Sequence, residues 1–140
     1  MAEHGGSEAH TRRPIAAAGL VCFREDDVLV IRRGRPPREG EWSLPGGRIE
    51  CGERAGDAAL RELTEETGCA AAIIGLVDVI DTIMDGRHYI LIDYAARWLS
   101  GEPQPGDDAR EARFFSPAEL AEIDLWSETR RVIEAARAML

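Results

Sequence analysis

The chain has 140 residues, 44% hydrophobic and 31% charged, which is enough for one domain with its own core and too few for two ordinary ones. A net charge of -9 argues against a surface built to neutralise long nucleic acid, and no apolar run approaches the ~20 residues that span a bilayer. All 17 basic residues are arginine, so neither a Walker A loop nor a lysine Schiff base can be built.

The opening MAEHGGSEAHTR lacks the apolar centre of a secretory signal. Through residue 13 it reads as a flexible tail ahead of a single domain over 14–140, with a cytoplasmic location expected. Ile15 to Phe23 and Val28 to Ile31 are apolar runs parted by Arg24-Glu25-Asp26-Asp27, a pattern that predicts a β-hairpin. From Arg32 to Trp42, Gly34, Gly40 and the pair Pro36-Pro37 enforce a loop. It carries Arg32, Arg33, Arg35 and Arg38, whose planar forks suit phosphate oxygens. Arg33 and Arg35 are the candidate substrate-binding residues, Arg33 favoured because a strand end is well fixed; the plainer alternative is a solvated basic loop.

Trp42 to Leu44 predicts a short strand, and Pro45-Gly46-Gly47 then turns the backbone closely past whatever lies ahead. A helix begins at Ala55 or Gly56 without a good N-cap and stops at Gly68, with Ala58, Ala59 and Leu63 as its narrow apolar side. Ala70 to Ile80 and His88 to Trp98 predict two strands around a turn at Asp85-Gly86. Gly101 to Phe115 is acidic and too rich in Pro and Gly to begin as a helix. Ser116-Pro117-Ala118-Glu119 is a capping box that opens a short helix, and a last helix from about Ser127 carries Val132, Ile133, Ala136 and Met139 on one face. Cys22, Cys51 and Cys69, odd in number and without a Cys-x-x-Cys pair, read as thiols of a reducing compartment.

Chemistry concentrates in the central helix. Glu62, Glu65 and Glu66 emerge on one face of one turn, close to the negative end of the helix dipole at Gly68. The pair Glu62/Glu66 alone costs roughly 0.2 to 0.5 kcal/mol. A divalent cation held by several carboxylates would reverse the sign of that cost, which marks the three acids as a metal site. Arg61 lies four residues before Glu65 and can reach back to Glu53, so it is placed to orient the carboxylates.

Gly47, Glu53, Arg61-Glu62-Leu63, Glu65-Glu66 and Gly68-Cys69, at their spacing, resemble the signature box of the Nudix hydrolases. The one departure is Cys69, where the family usually has an aliphatic residue. The resemblance implies an α/β fold, an α/β/α sandwich with a mixed β-sheet. It also implies a metal-dependent hydrolase, MutT-like, that cleaves the pyrophosphate bond of nucleoside diphosphate derivatives, ADP-ribose-like or (d)NTP, by water attack on phosphorus. The metal set it implies is the main-chain carbonyl of Gly46 with Glu62, Glu65 and Glu66, holding Mg²⁺, with Mn²⁺ admitted by the same oxygen donors. Asp107, Asp108 and Glu111 lie where similar proteins often carry one more carboxylate, and Asp108 is favoured for the metal and Glu111 for catalysis. Glu62, Glu65 and Glu111 all stay open as the base, with Arg61 and Glu53 beside them. A proline accompanying many ADP-ribose hydrolases of the family is missing between Gly68 and Gly101. The partners implied are a small nucleotide, no long nucleic acid and no membrane, with a homodimer allowed. The alternative is a non-catalytic nucleotide-sensing domain on the same scaffold.

Overall fold

The computed structural model describes residues 13–140; the tail expected at the N-terminus lies, apart from residue 13, outside the described residues. The predicted hairpin forms as β1 (Ile15–Arg24) and β2 (Asp27–Arg33), antiparallel and closed by Glu25 at φ 57°. β3 (Trp42–Ser43) pairs with β2, and β4 (Gly46–Arg48) pairs with β1 opposite Ala17, Ala18 and Gly19. Thus Gly46 and Gly47 continue as a strand rather than a turn. Their small size is needed because an added Cβ at Gly46 would lie 2.5 Å from the Ala18 carbonyl oxygen.

The helix α1 (Ala55–Thr67) follows, then β5 (Ala70–Met84) and β6 (Arg87–Ser100), which are longer than their apolar runs predict. β6 runs parallel to β1 from Tyr89 to Arg97, and every other pairing between the strands named here is antiparallel, so the sheet is mixed. The second half of the acidic segment forms β7 (Ala109–Phe115), hydrogen-bonded to β2. Sequence reading does not identify this strand, because Arg110, Glu111 and Arg113 mask the apolar alternation that Ala112 and Phe114 provide. α2 (Pro117–Leu120) opens with Ser116 and Glu119 bonded as the capping box requires, and α3 (Ser127–Arg137) ends the fold.

Alternation along β1 explains the layers. Leu20 and Cys22 face α1, where they are buried with Leu29, Ala58, Ala59, Leu63 and Ala96. Val21 and Phe23 face the other way and are buried with Val28, Val30, Val132, Ile133 and Ala136 under α3. Two cores on opposite faces of one sheet give the α/β/α sandwich. Alanine at 58 and 59 lets α1 lie close to the sheet, and Leu63 is wholly buried, so truncating it to Ala is expected to cost about 2–5 kcal/mol. No helix among the described residues is long and apolar enough to cross a membrane.

Candidate active site

The C-terminal half of α1 is placed by backbone contacts from three directions. Gly68, at φ 75°, closes the helix and donates its N–H to the Thr64 carbonyl at 2.9 Å. The loop after β6 then docks on the exposed helix end: the N–H groups of Gln104 and Gly106 reach the carbonyls of Thr67 and Glu66 at 2.9 and 3.0 Å. These carbonyls have no partner within the helix, so the loop satisfies acceptors that would otherwise need water. On the third side, the N–H of Gly46 donates to Glu66 Oε1 at 2.9 Å.

These contacts fix the acids. Carboxylate oxygens of Glu62, Glu65 and Asp107 all lie within 4.8 Å of one another. Glu66 stands beside them, buried. Burial pushes its carboxyl up to about 8, against the pull of the Gly46 amide, and Glu62 adds to the rise. The Glu62 carboxyl is also raised, first by burial, while Arg61 acts in the opposite direction.

Arg61 is the organising cation. Its Nε and one terminal nitrogen grip both oxygens of Glu53 at 2.7 and 3.0 Å. The other terminal nitrogen donates to Glu62 at 3.2 Å and to Glu65 at 3.1 Å. Hydrogen bonding from Arg61 holds the Glu53 carboxyl below its ordinary value. Glu53 in turn accepts the Glu50 N–H at 3.1 Å, so the fork is tied to the backbone ahead of α1. One guanidinium therefore sets the direction of three carboxylates, and the hard oxygen atoms gathered there are the donors that divalent cations such as Mg²⁺ prefer.

The acids open onto a cavity of about 810 Å³. Glu62, Glu66 and Asp107 line it together with Arg33, the last residue of β2, and Arg35 of the loop that follows. Arg33 Nε is held by the Pro37 carbonyl at 2.6 Å, and Arg35 by Asp108 at 2.9 Å. Further lining comes from Ile80 of β5, Tyr89, Leu91 and Asp93 of β6, Trp126 just ahead of α3, and Thr129 of α3.

Each acid of the 107–111 stretch goes a different way. The chain turns at Gly106 and takes φ 52° at Asp107, which delivers Asp107 to the glutamates. Asp108 also lines the cavity, but its carboxylate meets Arg35 and its carbonyl accepts the Gly34 N–H at 2.8 Å. Glu111, opposite Arg32 in the β2–β7 ladder, is ion-paired to that residue at 3.0 Å and does not line the cavity. The acid joining the cluster is thus Asp107, rather than the favoured Asp108 or Glu111. Asp93, Tyr89, Trp126 and Thr129 are cavity residues that the sequence reading did not single out. The signal available for Asp93 was an acid inside the otherwise apolar run YILIDYAA.

A mixed sheet between two helical layers, with clustered carboxylates and arginines lining one cavity, defines a scaffold suited to cation-assisted chemistry on phosphate groups. The NUDIX domain profile matches residues 13–136, and the chain belongs to the Nudix hydrolase family. It is 36% identical over 112 residues to an ADP-ribose pyrophosphatase of Methanocaldococcus jannaschii, a match covering 79% of this chain and 66% of that protein. It is 38% identical over 112 residues to a Mycobacterium tuberculosis protein provisionally named 8-oxo-dGTP diphosphatase 2, covering 79% of this chain and 78% of the relative. Among solved structures it resembles a MutT NUDIX hydrolase from Burkholderia pseudomallei, with a TM-score of 0.79 at 31% identity over 89% of this chain and 98% of that one. The chain thus spans about two thirds of the archaeal relative's length.

Proposed function

We propose that this protein hydrolyses the pyrophosphate link of a nucleoside diphosphate derivative with the help of a divalent cation, releasing a nucleoside monophosphate. The observation that carries the reading is the gathering of Glu62, Glu65 and Asp107 around one point, under Arg61 and beside an arginine-flanked cavity of nucleotide size. Glu62, Glu65, Glu66 and Asp107, with the Gly46 carbonyl, would hold the cation. When bound, it supplies positive charge to the phosphate oxygens and acidifies water beside it.

The remaining work belongs to the chain. Arg33 and Arg35 bind the phosphates and orient the scissile bond, which a planar guanidinium does better than an ammonium. Arg61, through its bonds to Glu53, Glu62 and Glu65, keeps the acids in one geometry and offsets part of their mutual repulsion. A carboxylate of Glu62 or Glu65 takes the proton of the attacking water as its oxygen approaches phosphorus. Glu111, paired with Arg32 outside the cavity, is left out of this assignment.

Product release from a panel of ADP-ribose and (d)NTP substrates with Mg²⁺ tests the proposal, with Glu66→Gln as the comparison. Turnover by the parent and a fall of ~10²-fold or more in the variant is expected. Equal activity in the two would remove the metal-site assignment, and tight binding of a nucleotide without turnover would favour the sensing alternative. The relatives' names make ADP-ribose and an oxidised purine nucleotide the first members of the panel.

A further inference from the structure

Arg38, in the loop between β2 and β3, has no part in the hydrolytic chemistry, yet it makes contacts far from its own strand. Its guanidinium carbon lies 4.8 Å from the Trp126 ring centroid, and its Nε is 3.4 Å from Met84 Sδ. A terminal nitrogen of the same group holds Glu41 at 3.0 Å. All four residues line the cavity, Met84 at the end of β5 and Trp126 just ahead of α3. In the order β3-β2-β1-β6-β5, two strands separate β2 from β5, which is about 14 Å of sheet. The cavity wall between them includes Gly19 of β1 and Tyr89 and Leu91 of β6. The reach of Arg38 from the end of β2 to the end of β5 therefore bridges the cavity.

The base of this loop and its tip are held by different means. Backbone bonds pin the base: the Arg33 N–H to the Glu41 carbonyl, the Gly40 N–H to the Arg33 carbonyl and the Gly34 N–H to the Asp108 carbonyl, each at 2.8 Å. No backbone group of residues 35–39 bonds to another element among the described residues. Side chains hold the tip instead. Arg33 reaches the Pro37 carbonyl, Arg35 pairs with Asp108 and Glu39 with Arg110, all on the side of β2 and its neighbour β7. The contacts of Arg38 with Met84 and Trp126 are the ones that cross to the other side. A segment fixed at both ends and held in the middle by side chains opens at much lower cost than the hydrogen-bonded sheet beside it.

We infer that residues 35–39 form a strap across the cavity and that Arg38 is its latch, whose contacts with Trp126 and Met84 part before a nucleotide-sized ligand enters or leaves. A guanidinium over a half-buried indole, with a thioether at its edge, is strong enough to favour the closed strap and weak enough to release it in thermal motion. Arg33 links the strap to the chemistry. Its guanidinium holds the Pro37 carbonyl and is also placed to bind phosphate, so an arriving phosphate competes with the strap for the same group. The latch depends on the pyrophosphohydrolase reading only for the choice of ligand, because the gap it spans belongs to the fold.

Access to the cavity can be measured with no ligand at all, through the rate at which iodoacetamide alkylates Thr129→Cys. Thr129 is a cavity residue only 9% exposed, and Cys51→Ser in the same chain removes the exposed native thiol. Adding Arg38→Met or Arg38→Ala is expected to speed alkylation roughly 3- to 30-fold, Met keeping the bulk of the side chain while losing its charge. A rate raised by Ala alone, or by neither, would overturn the latch. Stopped-flow binding of ADP-ribose without added metal, in chains that retain Thr129 and Cys51, is the second measure. Association and dissociation should quicken together in both Arg38 variants and leave the Kd within about threefold. About tenfold faster dissociation at unchanged association would make Arg38 a ligand contact and overturn the assignment. Hydrolysis with Mg²⁺ is assayed separately: alkylation that responds to Arg38 in a chain that hydrolyses nothing refutes the enzyme reading and leaves the latch supported. Hydrolysis by a chain whose alkylation ignores Arg38 does the reverse.

Discussion

The two acidic regions of the cavity are built on opposite principles. At the α1 end, Glu62, Glu65, Glu66 and Asp107 crowd together and Arg61 reaches two of them while anchored on Glu53, so charge is gathered and then oriented. At the β6 end, a single carboxylate stands in an apolar wall with its nearest arginine already engaged. The first arrangement directs its acids towards one point, although burial holds Glu66 and Glu62 above their ordinary values; the second buries an acid beside Asp78, with Arg131 offsetting only part of the cost. Charge density therefore says little about role here, whereas the partner of each carboxylate says a good deal.

Arg61→Ala should break the contrast most strongly. Without the fork, Glu53, Glu62 and Glu65 lose their common orientation, and activity with Mg²⁺ is expected to fall by roughly 10- to 100-fold with a matching rise in the metal concentration needed. Arg61→Lys should recover little, because one ammonium cannot span three carboxylates. Steady-state kinetics across a Mg²⁺ titration measures both. Asp107→Asn should have a smaller effect of the same kind, about 10-fold, while Glu111→Gln leaves turnover within about twofold, since Glu111 pairs with Arg32 outside the cavity. Similar losses in the Asp107 and Glu111 variants would count against the geometry described for this loop.

The pH response sharpens the comparison further. Glu66 and Asp93 are raised in the folded state, to about 8 and about 6, so between pH 4 and 8 the metal-free fold retains protons that the unfolded chain has released. Their contribution is complete below the unfolded values and is lost as pH rises through the folded ones. Glu53, held low by Arg61, works the other way and loses its contribution as pH falls. Melting of the metal-free protein should therefore drop from pH 6 to pH 8, and Mg²⁺ should reverse part of the drop by binding the ionised acids. The smallest effect is expected from Asp93→Asn, which at pH 8 should raise stability on the order of 1 kcal/mol by removing a buried charge. A variant that melts lower than the parent at pH 8 would mean that Asp93 has a structural partner.

Much of this molecule could be read from the chain before any coordinates. The hairpin, the central helix with its stop at Gly68, the capping box at Ser116 and the final helix all carry their signals within a few neighbouring residues, where capping, periodicity and turn chemistry operate. Glu62, Glu65 and Glu66 were legible for the same reason, because helical spacing alone puts them on one face. β7 was not, since it becomes a strand by pairing with β2, some 80 positions earlier, and its exposed charges hide its pattern.

Local spacing thus determined which acids share a helix face and that they lie near arginines. Only the folded chain decided which loop acid joins them: two backbone hydrogen bonds from Gln104 and Gly106 to the end of α1 select Asp107 over its neighbours. The parallel pairing of β6 with β1 likewise brings Asp93 opposite Gly19, a contact between residues more than seventy positions apart. No short-range rule links such residues, because their meeting depends on how the sheet closes.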